Sequence, residues 1–481
     1  MLRPSLLART LAALSLAVAA VTACRPKPAA SGPGRALSRV DWTRFGWDAA
    51  RSSAPAPDMA ITAANVTTMR RQQVHLDGTV DGSAIYLHAV TVKGAIHNVF
   101  FVTTTYGRTI AVDADDGRVL WTFTPPGEPY LEGTHIITTA TPVADPDREH
   151  LYAAAADGMV RRLAVADGKA EWAAAVTVLP AFEKVASALN YWHGRVIVTT
   201  GGYIGDRPPY QGHVALLDAA TGRLDIAWNA LCSHHFGVLD PTKCPESGAA
   251  IWGRAGAVVD TTTGDLYVAT GNATWDGQKY WGDATVELDS MAAGILGNYT
   301  PANTAQLDAR DLDLGSTSPV LLGGGLVAQG GKDGFIRLLD WSAMKGDVPH
   351  KGGEAQIVPT PGSTDLFTAP AVWHHAGATW LFAADNAGTA AWTVSGGRLV
   401  PAWQNPNRGT SPVVADGLLF VYDPDGGLRV YDAPTGKAIA NLECGLGHWN
   451  SPIVVDGRIA LPEGNANKHE TRGVLDIWRL P

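Results

Sequence analysis

Cysteine is scarce, at four in 481 residues. No two cysteines are adjacent and none stands in a CxxCH motif, which excludes a covalently attached c-type haem in this chain. Basic charge is nowhere concentrated. The 37 Lys and Arg are outnumbered by 46 Asp and Glu, the net charge is −9, and no block of like charge occurs. Nucleic acid is therefore not an expected partner, and there is no polybasic run for a membrane surface. Long apolar runs are absent beyond the N-terminus, and no later segment carries a helical period. That excludes a helical bundle and a helical membrane domain as the bulk of the chain.

What is present is turn chemistry and tryptophan. Gly (53) and Pro (30) are abundant, and 16 Trp are spread along the whole length. The first residues, "MLRPSLLARTLAALSLAVAAVTAC", place Arg3 and Arg9 before an apolar stretch that ends in small residues. This is the pattern of a secretory signal over residues 1–23. Its end, "VTAC", resembles a bacterial lipobox, which implies lipidation at Cys24 and an exported protein held on the periplasmic side of the cell envelope by a lipid anchor alone. Residues 24–40 are rich in Pro, Ala, Ser and Gly and read as a flexible tether. Cys232 and Cys244 flank one loop, "CSHHFGVLDPTKC", so a local disulfide is expected in an exported chain. Cys444 is expected to be a small buried thiol. The two His in that loop fit no zinc spacing.

A unit recurs along the chain. "GRTIAVDADDGRVLW" (107–121) returns as "GMVRRLAVADGKAEW" (158–172), "GHVALLDAATGRLDIAW" (212–228), "GFIRLLDWSAMKG" (334–346) and "GGLRVYDAPTGKAIANL" (426–442). Each is an alternating strand, an Asp/Gly turn and a second strand, which is a β-hairpin signature. Ahead of each lies a small-x-Pro-apolar strand, a turn and another apolar strand. Together these make a four-stranded sheet. Eight are expected, near 85–124, 138–176, 187–230, 250–300, 316–345, 368–404, 410–443 and 451–480. Sheets repeated at this period predict an all-β fold, an eight-bladed β-propeller of four-stranded antiparallel blades over residues 41–481. A solenoid would leave its end strands bare. Ring closure is expected to pair the final "GVLDIWRLP" with an early strand.

The unit "AVDADDGRVLWTF" resembles the tryptophan-docking repeat of the pyrroloquinoline quinone (PQQ) propellers, and "DWTRFGWDAARSSAPAP" (41–57) is similar to the segment that leads into them. The resemblance implies that Trp121, Trp172, Trp228 and Trp403 lie flat between sheets. One stretch stands apart from the rest: "ATGNATWDGQKYWGD" (269–283). In the quinoprotein alcohol dehydrogenases a strand ends in Gly-Asn before a loop carrying Trp and Gly-Asp. The resemblance implies that Asn272 is a calcium ligand beside the quinone, with an amide oxygen suited to a hard cation. It further implies a cofactor contact at Lys332 in "QGGKDG" and a ring-stacking role for Trp252 in "IWGRAG", with Arg254 as the alternative occupant. It places a proton-abstracting Asp at Asp311 or Asp313 in "QLDARDLDLGSTSP". The family's second calcium ligand is a Glu; the matching loop, "TTGGYIGDRPPYQG", offers Asp206 instead. The family's adjacent Cys pair is also missing.

Two functions compete at this point. One is a PQQ- and calcium-dependent dehydrogenase of an alcohol, sugar or related hydroxyl compound, passing electrons to a separate acceptor. The other is a non-enzymatic scaffold resembling the propeller lipoprotein of the outer-membrane β-barrel assembly machinery, whose partners are other envelope proteins. The stretch 269–283 and Lys332 favour the first, and the missing Cys pair and Glu favour the second.

Overall fold

The computed structural model describes residues 40–481. The signal segment 1–23, Cys24 and residues up to 39 of the tether lie outside the described residues. The remainder forms eight four-stranded antiparallel sheets. In the first blade the strands are Ile85–Val92, Ala95–Thr103, Thr109–Asp113 and Val119–Phe123. In the second blade the first strand, Val143–Ala144, is fully buried, whereas the fourth, Ala170–Ala175, alternates between half-buried and exposed. Alternating small and β-branched residues make these strands, and Asp-x-x-x-Gly turns close several of them. Asp113, for example, accepts from the backbone N–H of Asp115 and Asp116.

The ring closes between the two ends of the propeller. Arg70–Leu76 pairs antiparallel with Gly473–Arg479, from Arg70 opposite Arg479 to Leu76 opposite Gly473. The eighth sheet therefore takes its outer strand from the beginning of the chain. Arg71 clamps the seam by donating to both oxygens of buried Asp476 (2.9 and 2.8 Å) and to Glu463 (3.1 Å). Burial and the adjacent Glu463 carboxyl raise the pKa of Asp476.

The fifth blade differs from the sequence expectation. Its outer strand is Gln356–Pro359, beyond the expected limit of 345, because a short 3-10 turn at Trp341–Met344 and a loop separate it from its partner Phe335–Asp340. A short helix, Thr304–Asp308, also interrupts the β pattern.

Tryptophan docking has a specific geometry. The indole N–H of Trp121 donates to the Val165 carbonyl of the next blade (2.9 Å), that of Trp172 to Ala219 (3.1 Å) and that of Trp403 to Ala433 (2.8 Å). Each acceptor lies three residues before a turn glycine. A Cβ on Gly168, Gly222 or Gly436 would meet the docked ring at 2.5, 2.6 or 2.5 Å, so only glycine lets the ring lie flat there. Trp228 is buried at 1% exposure in the core between the third and fourth blades, but its N–H finds no acceptor among the described residues.

The lead-in segment occupies the centre of the ring. Its backbone carbonyls accept from inner strands of four blades: Thr43 from Ala144, Ala49 from Val259, Ser52 from Val372 and Ser53 from Val414. Phe45 packs with Ala188, Ala255 and Ala369 of three different blades. Arg51 donates to the carbonyls of Phe45, Ala188 and Leu189 (2.7, 3.3 and 3.0 Å), and burial pushes its pKa down to about 9. These contacts fill the channel with protein, so a ligand site must lie to one side of this plug.

Removing the docked ring of Trp121, which is 5% exposed, is expected to cost about 3–5 kcal/mol, the range for emptying a buried aromatic site. Trp121→Ala should move the urea midpoint down accordingly. An unchanged midpoint would contradict the docking role.

Candidate cofactor site

A cavity of about 520 Å3 lies at the end of the blades from which the inner strands start. Its lining draws on segments far apart in sequence, from Thr139 to Asn467, and includes Asp206, Trp252, Arg254, Asp311, Asp313 and Lys332.

Its most tightly ordered part is the meeting of three loops. Asp313 accepts from the Asn272 backbone N–H at 2.7 Å and forms an ion pair with Lys332. Asp311 accepts from the Asn272 side-chain amide at 3.0 Å and from Lys332 Nζ at 2.9 Å. The Lys332 backbone N–H donates to the Asp313 carbonyl at 3.0 Å. Gly271 makes this approach possible: a Cβ there would lie 2.3 Å from Asp313 Oδ1 and 3.3 Å from Trp252 Nε1. Burial opposes the charge on Lys332, but Asp313 and Asp311 outweigh it and hold its pKa above the ordinary lysine value.

The two aspartates differ. Both Asp313 oxygens are engaged, and its side chain is 9% exposed. Asp311 is 68% exposed and uses one oxygen for both contacts, which leaves the other for a ligand. Its backbone is left-handed (φ 54°), an uncommon state for a non-glycine residue that marks a constrained position.

The walls are aromatic and cationic. Trp252, Phe367 and Trp449 form a cluster, with Phe367 and Trp449 stacked at 5.0 Å and 20° and Trp252 5.8 Å from Trp449. Lys332 Nζ lies 5.4 Å from the Trp252 ring, and the Arg254 guanidinium 4.8 Å from Trp449. Arg254 lines the cavity together with Trp252. It is buried and paired with buried Asp81 (2.9 Å), which also meets His448 (2.7 Å). Burial works against the Asp81 charge, but Arg254 and His448 hold its pKa well below the carboxylate range. Lys184 lines the cavity without an ion pair among the described residues; burial, then the Arg254 charge, push it down to about 8.

Metal-binding capacity is limited to oxygen donors. Among the described residues no group of three or more His, Cys, Asp or Glu is arranged as a metal site. Asn272 Oδ1, however, is buried and has no hydrogen-bond partner there. An orphaned amide oxygen on a residue hydrogen-bonded to two carboxylates suits a hard cation that also takes oxygens from a bound ligand. Asp206 sits on another loop and accepts from the Tyr210 hydroxyl at 2.8 Å.

The rest of the stretch 269–283 is structural. Trp281 is buried and donates to Ser233 Oγ at 3.1 Å, and Tyr280 bridges Leu231. Both pack on the Cys232–Cys244 pair, which is bonded with a Cα–Cα distance of 6.1 Å. Cys444 is free and buried, and burial pushes its thiol up to about 12.

Lys184, Phe367, Trp449, His448 and Asp81 escaped the sequence reading. A signal existed for some. Thr139, Phe367 and Trp449 each stand three residues before the Pro that opens an inner strand (Pro142, Pro370 and Pro452), and all three line the cavity.

The comparisons with known proteins agree with this geometry. A PQQ-repeat family model described as outer membrane protein assembly factor BamB matches residues 31–237. The polyvinylalcohol dehydrogenase of Sphingopyxis sp. (strain 113P3) is 27% identical over 209 residues, 40% of this chain and 31% of that protein. The quinohemoprotein alcohol dehydrogenase ADH IIB of Pseudomonas putida is 28% identical over 207 residues, 43% of this chain and 27% of that protein. The chain thus spans less than a third of the length of either relative. Among solved structures, the quinohemoprotein alcohol dehydrogenase of Comamonas testosteroni superposes with a TM-score of 0.66 at 16% identity, over 92% of this chain and 82% of that one. A europium-containing methanol dehydrogenase gives 0.66 at 16%, over 92% and 98%. BamB from Moraxella catarrhalis gives 0.51 at 14%, over 85% and 98%. At these identities the structures establish the fold alone. Repeat and blade count define an eight-bladed β-propeller. Part of its sequence is similar to the PQQ-repeat family model and to a quinohemoprotein alcohol dehydrogenase.

Asp283, in the same stretch, carries a pH signature. It is fully buried; Oδ1 accepts from the Leu314 N–H (2.9 Å) and Oδ2 has no partner among the described residues. Burial, reinforced by the charges of Asp313 and Asp308, pushes its pKa from 3.8 to about 8. Between those values the folded protein holds a proton that the unfolded chain releases, so stability falls as pH rises through that window. The unfolding midpoint of metal-free protein should drop between pH 4 and 8, and Asp283→Asn should flatten the drop. An equal slope in the variant would assign the effect elsewhere.

Proposed function

We propose that this propeller belongs to a PQQ- and metal-dependent dehydrogenase of hydroxyl compounds. The observation that carries the reading is the convergence of Asn272, Asp311, Asp313 and Lys332 from three separate loops, the last three lining one cavity beside an aromatic wall. PQQ is planar and carries three carboxylates. A cavity with flat rings and the cations Lys184, Arg254 and Lys332 suits such a molecule. When bound, PQQ supplies the hydride acceptor and a cation such as calcium the Lewis acid. Asn272 Oδ1, which lacks a hydrogen-bond partner among the described residues, would be a ligand atom for that cation. The relatives named as polyvinylalcohol and alcohol dehydrogenases support a hydroxyl compound as substrate.

Asp311 takes the substrate's hydroxyl proton. It has an oxygen to spare and faces the cavity, whereas Asp313 is fully committed to Asn272 and Lys332. Lys332 pairs with both carboxylates and holds positive charge at the cavity wall. Trp252, Phe367 and Trp449 offer flat apolar surface and exclude water. Electrons then leave to a separate acceptor. We further propose that Cys24 is lipidated and that the propeller works on the periplasmic side of the envelope; Cys24→Ser would release the protein from membranes. A second reading, an envelope scaffold with other envelope proteins as partners, is supported by the BamB-type family match and by the missing Cys pair.

Purified protein incubated with PQQ and calcium and passed through gel filtration should retain quinone absorbance, and dye reduction by alcohols should follow. Lys332→Ala and Trp252→Ala should lower retention. Asp311→Asn should keep the quinone but lose roughly 100-fold or more in turnover, as removal of a general base does. No retained quinone in the wild type would hand the site to the scaffold reading.

A further inference from the structure

Among the described residues two lysines are half-buried and the others exposed. The two are Lys184 and Lys332, and both line the first cavity. Their surroundings differ. Lys332 lies 2.9 Å from Asp311 and is paired with Asp313, and the two carboxylates hold it as a cation. The Lys184 amine has neither hydrogen bond nor ion pair among the described residues. It is not one of the polar atoms sealed off from solvent, so its open side is the cavity.

The carboxylates near Lys184 are spent elsewhere. Asp81 is committed to Arg254 at 2.9 Å and to His448 at 2.7 Å, so its charge draws on the amine only in part. The neighbouring Glu183 accepts from the backbone N–H groups of Val178 and Leu179 (2.9 and 2.8 Å) and lies 3.0 Å from buried His213. The Lys184 backbone exchanges hydrogen bonds with Gly201 at 2.7 and 2.9 Å, which fixes the base of the side chain. Burial and the Arg254 charge push Lys184 down while Lys332 goes up. Two like groups driven apart in one cavity mark two different tasks. An amine desolvated beside a second cation is the arrangement of a nucleophilic lysine.

We propose that Lys184 is a carbonyl-reactive amine, and that the cavity binds an aldehyde carried on a flat ring by forming an imine with it. The lone pair of the neutral amine attacks the carbonyl carbon, and a C–N bond forms. Both N–H protons pass to the carbonyl oxygen, which leaves as water, and a C=N bond remains. Nothing is oxidised or reduced, and no co-reactant is consumed. The ring is matched by the walls. Trp252, Phe367 and Trp449 supply flat surface, and the Arg254 guanidinium that acts on Lys184 lies 4.8 Å from Trp449. The inference goes beyond the dehydrogenase reading and needs neither quinone nor metal.

The test is reductive trapping. The protein as purified, without PQQ, is incubated near neutral pH with benzaldehyde and cyanoborohydride, which reduces an imine to a stable secondary amine. Peptide mass spectrometry then assigns the label. Lys184 should be labelled about tenfold or more faster than Lys332 and than exposed lysines such as Lys93 and Lys169, because more of it is neutral. Lys184→Arg keeps the charge but forms no imine; it should lose the fast label and keep the slow ones. With propanal in place of benzaldehyde, the advantage of Lys184 over the exposed lysines should shrink about fivefold, the loss of one ring contact. The wild-type peptide map names the lysine itself, so the result does not depend on how the variant folds. Lys184 labelled no faster than the exposed lysines, or a fast label that survives Lys184→Arg, would overturn the site. An equal advantage with both aldehydes would overturn the flat-ring ligand.

Discussion

Everything at the cavity depends on one strand pairing, that of Arg70–Leu76 with Gly473–Arg479. Blades in a ring place their inner-strand ends around one axis, and only a closed ring keeps that arrangement without bare edges. Asp81 and His448 show what closure achieves. They come from opposite ends of the chain, yet lie 2.7 Å apart across the seam, and Arg254 from the middle of the chain completes the contact. The plug built on Phe45 and Arg51 then gives the funnel a floor.

Within the funnel the chemistry is one of constrained opposites. Lys332 and Asp313, both largely buried, satisfy each other's charge, and exposed Asp311 adds to the pair. Asp313 fixes the Asn272 backbone, which leaves the Asn272 amide oxygen orphaned and the Asp311 carboxylate half used. An unpaired buried amide oxygen and a carboxylate with one free oxygen leave capacity for a ligand.

The blades were legible because strand alternation and Asp/Gly turns repeat in the one-dimensional sequence. The fifth blade's outer strand was not, because an inserted turn displaced Gln356–Pro359 from the repeat. Asn272, Asp311, Asp313 and Lys332 could be singled out because each lies in or beside a short motif near a strand end. The aromatic wall was hidden. Phe367 and Trp449 look like ordinary hydrophobic residues until their offset from the inner-strand prolines is seen. Lys184 and Asp81 were invisible for another reason: their significance lies in partners hundreds of residues away or in the absence of any. The docking of Trp228 was anticipated, but its missing acceptor was not, since the acceptor belongs to the next blade's turn.

The central claim is that this cavity is shaped for a planar polyanionic quinone and an oxygen-ligated cation. A crystal structure grown in PQQ and calcium tests it most directly. The account predicts planar density against Trp252, with a cation ligated by Asn272 Oδ1 and the quinone carboxylates near Lys184 or Arg254. Well-ordered crystals in which the cavity holds only water, with Lys332 still bridging Asp311 and Asp313, would contradict it.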